Sequence, residues 1–152
     1  MKQTRVITQD AIVKSMEKCS ALPRYRVGFC FSSMKEAREF YNSIRDIYTS
    51  DGIPGIKRIH EFGSSSGQIM FNTDSCIDVF SFNNSIGRRL HDVYWDELIE
   101  QRFTDETRDF FNSLLISYHG APIPQVKHTD WTDMADTSKI DEFLNSFRVV
   151  SA

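Results

Sequence analysis

Arg26-Val27-Gly28-Phe29-Cys30-Phe31-Ser32-Ser33-Met34-Lys35-Glu36-Ala37 joins a short apolar run to a helix start. That junction decides the fold class. The run up to Phe31 is short, apolar, partly β-branched and partly aromatic, which predicts a buried strand. Ser33 and Glu36 have the S-x-x-E spacing of a capping box, in which each side chain satisfies a backbone N–H of the other's turn. Behind them Ala37, Phe40, Tyr41, Ile44, Ile47 and Tyr48 recur at helical spacing. The pattern predicts an amphipathic helix of about four turns that ends before Asp51-Gly52. A strand feeding a capped helix is half of a βαβ unit.

Upstream, Asp10 is placed to cap a short helix over residues 11–19, which Pro23 breaks. Downstream, Ile53-Pro54-Gly55 makes a turn. Strands are predicted over 57–62, 68–72 and 76–82, separated by Gly63-Ser64-Ser65-Ser66-Gly67 and by Thr73-Asp74-Ser75, a hairpin pattern. After a loop over 83–87, the Val, Tyr and Trp of residues 92–96 predict another strand. Residues 104–118 carry Phe110, Phe111, Leu114 and Leu115 as a second main helix, with Gly120 as its stop. Pro122 and Pro124 open a polar stretch, so 119–136 reads as less regular. Thr137 caps a last helix bearing Ile140, Phe143, Leu144 and Phe147. With no repeat and no boundary, residues 1–152 are expected to form one α/β domain, a small central mixed sheet flanked by helices.

A chain of 152 residues can bury a proper core, and twelve phenylalanines give that core an aromatic character. The net charge of −3 disfavours nucleic acid as a partner for the whole surface. Local basic pairs remain as docking points: Arg24 with Arg26, Lys57 with Arg58, Arg88 with Arg89. Cys19, Cys30 and Cys76 are odd in number and lack a C-x-x-C spacing, which argues against a disulfide framework and a structural zinc. Cys30 reads as core. No long apolar run predicts a signal peptide or membrane span, so a cytoplasmic protein is expected, in a host cytoplasm if phage-encoded.

Val93-Tyr94-Trp95-Asp96-Glu97 is the feature closest to chemistry. An apolar strand ending in two acids delivers carboxylates to the carboxyl edge of a sheet, where ligands of open α/β sheets bind. In nucleotide hydrolases the first acid holds magnesium and the second polarises the attacking water. Asp96 would be the metal acid and Glu97 the base. The alternative is that Asp96 caps a following turn, and Glu97 and Glu100 begin a helix.

The order of elements, with Gly67-Gln68-Ile69-Met70-Phe71, Gly87-Arg88-Arg89 and Asp92-Val93-Tyr94-Trp95-Asp96-Glu97, resembles the ATPase core of phage terminase large subunits and related helicase-like motors. The resemblance implies a partly RecA-like fold and a magnesium-dependent ATPase or nuclease subunit of a DNA-processing machine, with Mg and ATP as cofactors. A phosphate loop needs glycines, so that backbone N–H groups can wrap the phosphates, and a Lys-Ser pair. Lys14 and Ser15 stand in the matching place. Thr8 and Val13 replace the glycines, Asp10 adds a carboxylate, and the Arg-Gly order is inverted at Gly87-Arg88.

Other candidates are thinner. His60, His91, His119 and His128 lack metal-binding spacing. No G-x-S-x-G occurs. Gly63 to Gly67 could cradle an anion or simply cap a hairpin. Asp74, Asp78, Asp92 and Glu97 could form a nuclease cluster. Arg88, Arg89 and Trp131 are candidate partner contacts. With no complete catalytic constellation, the first expectation is a non-catalytic protein on a motor-like scaffold that binds a larger protein without cofactors, as a phage-encoded inhibitor or accessory factor would. The second is the magnesium-dependent enzyme using Asp96 and Glu97.

Overall fold

In a computed structural model of the chain, residues 5–53 and 55–120 are described. Helix α1 (Gln9–Ala21) leads into strand β1 (Arg26–Phe31), then helix α2 (Met34–Asp51). Strands β2 (Ile56–Ile59), β3 (Ser66–Phe71) and β4 (Cys76–Ser81) follow, then β5 (Asp92–Trp95). Helices α3 (Glu97–Gln101) and α4 (Asp105–Leu114) come after β5. The five strands form one mixed sheet in the order β2-β3-β4-β1-β5, so the expected α/β class is present. Strand β1 is an interior strand, between β4 and β5 and parallel to both. The predicted hairpins are real: β3 runs antiparallel to β2 and to β4. Beyond β5, Val6 pairs with Trp95 in parallel and extends the edge.

Period-2 alternation gives each face of β1 its own core. Val27, Phe29 and Phe31 face α1 and α2, where they meet Ile12, Met16, Phe40, Tyr41 and Ile44. Cys30, with Phe80, Val93 and Trp95, faces Ile99, Phe111 and Leu114 of α3 and α4. Phe40 is fully buried and packs its ring against Phe29 and Phe31. Burying a phenylalanine side chain contributes about 2–3 kcal/mol in transfer terms, so these aromatic contacts hold the helical layer to the sheet.

Sequence expectations were corrected at several ends. The cap of α1 is Thr8, whose hydroxyl accepts from the Ala11 N–H, so Asp10 is a first-turn residue. The box at α2 is half formed: Ser33 accepts from the Glu36 N–H, while the Glu36 carboxylate takes the Ser32 hydroxyl. Gly52, at φ +74°, closes α2 as expected, in a conformation that suits a residue without Cβ. Helix α4 ends at Leu114, before the predicted Gly120, because Leu115 leaves it to pair with Leu90. Residues 83–87 are not wholly irregular, since Phe82–Asn84 forms a 3-10 turn. Trp131, His128 and the predicted helix after Thr137 lie outside the described residues.

The link from β4 to β5 contains no α-helix. It crosses β1 on the α3/α4 face, and Leu90 settles onto Gly28. A Cβ at Gly28 would stand 2.5 Å from Leu90 Cδ1 and 2.9 Å from Phe80 Cε1. Only glycine lets the crossing lie flush with the sheet. His91 fastens it: its N–H donates to the Arg26 carbonyl (2.8 Å), and its Nδ1 accepts from the Arg26 N–H (2.9 Å).

Candidate functional site

The neighbouring strands β1 and β5 send their chains to opposite faces of the sheet, β1 into α2 and β5 into α3. Open α/β sheets bind ligands in the crevice beyond the carboxyl ends of strands that part in this way. A cleft of about 390 Å³ lies there. Ser32, Ser33 and Glu36 line it from the start of α2. Phe82 and Asn83 enter from the end of β4, and Leu98, Ile99 and Arg102 from α3 and its cap, with Thr107 from α4. Phe82, Leu98 and Ile99 make the wall apolar, while serine, asparagine, threonine and one charge of each sign give it polar points. Leu98 is 42% exposed at the rim.

Asp96 builds this cleft. One carboxylate oxygen accepts the Ile99 N–H at 3.0 Å and caps α3. The other accepts the Ser32 N–H at 2.6 Å. Its own N–H donates to the Cys30 carbonyl at 3.1 Å. One side chain thus ties together the two connections that leave β1 and β5. Burial, and then the nearby Asp96 charge, push the Cys30 thiol well above its ordinary value, so Cys30 stays a protonated core residue. Glu97 projects as an exposed first-turn residue of α3, and Glu100 accepts the Trp95 indole N–H at 2.5 Å.

The other sequence candidates sit elsewhere. Thr8 to Ser15 is the cap and first turns of α1, with Lys14 exposed and Ser15 buried. Only Ile7 stands between the bridged Val6 and the cap, so no loop of backbone N–H groups is free to wrap a phosphate. Lys14 and Ser15 therefore lie within a helix and do not close a phosphate-wrapping loop. The four acids are dispersed. Asp74 precedes β4 at its amino end, and Glu97 follows β5 at its carboxyl end. Asp78 and Asp92 lie on opposite faces of the sheet, as their partners in register show: Asp78 pairs with Gly28, and Asp92 with Val27. Among the described residues no group of three His, Cys, Asp or Glu is placed to hold a metal ion.

Arg89 is exposed, whereas Arg88 is half-buried. Arg88 lies over the Phe80 ring (4.3 Å), and its Nε donates to the Asn84 carbonyl (2.9 Å). Burial lowers the Arg88 pKa, and the nearby Asp78 charge opposes that shift. Asp78 is fully buried, with Arg26 Nη2 at 3.5 Å from one oxygen and no hydrogen bond to the other. Asp92 is paired with Arg5 and accepts the Tyr25 hydroxyl at 3.2 Å.

Of the sequence candidates, Asp96 bonds to two residues that line the cleft, Ser32 and Ile99, and none of the lining residues is itself a sequence candidate. Ser32 and Ser33 are visible as polar residues directly after an apolar strand, a position that the carboxyl-edge rule marks. Nothing local distinguishes Asn83, Arg102 or Thr107, which tertiary packing alone brings together. No helix among the described residues is long and apolar enough to cross a membrane. No protein-family model matches the chain, and no curated protein or solved structure matches it either.

Proposed function

We propose that this chain is a non-catalytic binding protein that holds a segment of a larger protein in its carboxyl-edge cleft, acting on that partner as an inhibitor or accessory factor. The observation that carries the reading is the use of Asp96. Both of its oxygens accept backbone N–H groups, and in doing so they shape a wall that is part apolar and part polar. Such a wall suits a side chain inserted among hydrogen-bonding rim groups. The acid that a metal-dependent hydrolase would use is here a structural tie.

Two measurements test this. A photo-crosslinking residue at position 98 should capture a partner protein, whereas the same probe at Lys57, on β2, should not. Calorimetry with Mg-ATP should give no binding heat for the wild type. Mg-ATP binding by the wild type, with ATP hydrolysis that is lost in Glu97→Gln, an exposed position that does not threaten the fold, would overturn the reading in favour of a nucleotide-dependent enzyme.

A further inference from the structure

Glu36 and Arg102 line the same cleft and do not pair with each other, and no ion pair engages either among the described residues. Each is placed by its own helix. Glu36 stands in the first turn of the 18-residue α2, where the positive end of the helix favours an acid. Arg102 is the C-cap of α3, where a cation is favoured. The same cleft also carries the apolar surface of Phe82, Leu98 and Ile99. An occupant that covers this wall takes water from both charges. That loss is offset only if the occupant brings the opposite charges.

From this we infer that the cleft selects a peptide segment in which an apolar residue lies between a basic and an acidic one. The apolar side chain rests on Phe82, Leu98 and Ile99, the base meets Glu36, and the acid meets Arg102. A volume of about 390 Å³ admits one large side chain with the near parts of its neighbours. This inference rests on the protein-binding reading above and adds the chemistry of the partner.

The test is an amide NMR titration of the full chain with four probes. These are the capped peptides Ac-Gly-Lys-Leu-Glu-Gly-amide, Ac-Gly-Glu-Leu-Lys-Gly-amide and Ac-Gly-Gln-Leu-Gln-Gly-amide, and free leucine. Two rim ion pairs should make one charged order bind about three- to thirty-fold more tightly than the uncharged peptide. In the double variant Glu36→Lys/Arg102→Glu, the preference should pass to the other order, with a wild-type-like spectrum confirming the fold. Equal binding of charged and uncharged peptides, with shifts at Leu98 and Ile99, would overturn the charge rule and leave the cleft as a docking site. Free leucine binding as tightly as the better peptide would make this a zwitterion pocket instead. No cleft shift with any probe also overturns the inference, and capture from position 98 then decides whether the protein-binding reading stands.

Discussion

Replacing Asp96 by alanine isolates the tie between the two connections. The substitution removes two hydrogen bonds at once, to the Ile99 and Ser32 N–H groups. Loss of an N-cap costs about 0.5–2 kcal/mol. Leaving a part-buried N–H without its charged acceptor costs a further 1–3 kcal/mol or so. Because α3 has only five residues, the neighbouring turns have little to compensate with. The expected total is about 2–4 kcal/mol, a fall in Tm of roughly 5–15 °C for a chain of this size. Urea unfolding followed by tryptophan fluorescence reports it, since Trp95 adjoins the site. Asp96→Ser separates the two bonds: a serine hydroxyl can cap Ile99 but cannot reach Ser32, so about half the loss should return. A cost for Asp96→Ala below about 0.5 kcal/mol, the lower limit for a lost cap, would refute the tie.

Three further outcomes follow from the packing. Phe40→Ala should cost about 3–5 kcal/mol in chemical denaturation, because its ring is buried against Phe29 and Phe31; a loss below about 1 kcal/mol would mean that α2 does not face the core. Gly28→Ala should cost about 1–3 kcal/mol, since its methyl meets Leu90 and Phe80, and amide exchange should quicken at Leu90 and His91; unchanged stability would show that the crossing does not lie flush. Burial, with Arg26 second, lowers the His91 pKa below its usual 6.5, so the unfolded chain binds the proton more readily. Its contribution to stability is therefore complete above that value and is lost as pH falls through the lower folded value. Unfolding at pH 7 and pH 5 should give a smaller loss for His91→Asn, which keeps an acceptor near the Arg26 N–H but does not titrate; equal losses in both proteins would remove His91 as the cause.

The elements of the sheet, though not their order, were legible where local signals agree. The apolar strand before Ser33 and the stripe from Ala37 to Tyr48 specified β1 and α2 almost to the residue. Turn residues marked both hairpins. Ends set by tertiary contacts were not legible. Leu115 has a good helical position, but pairing with Leu90 draws it out of α4. Thr8 displaced Asp10 as a cap because Val6 is held beside Trp95, which fixes where the chain turns. The acid pair was correctly placed at the carboxyl edge, but whether Asp96 faces solvent or two amides depends on where Ser32 lands. Adjacent acids in the sequence do not encode that.

The interior position of β1 has a kinetic consequence. Its two partners are made long after it: Tyr25 bonds to Ser75, 50 residues on, and Arg26 to His91, 65 residues on. The β2-β3-β4 meander and α2 can form from near neighbours, whereas both edges of β1 must wait for distant segments. Such non-local pairing slows folding toward the millisecond-to-second range. Until then Val27-Gly28-Phe29-Cys30-Phe31 is an uncharged, proline-free strand with two open edges, the composition that aggregates most readily. Refolding yield should therefore fall with protein concentration. A lysine at Phe31, near the end of the strand, should improve yield from dilute denaturant even as it weakens the folded state.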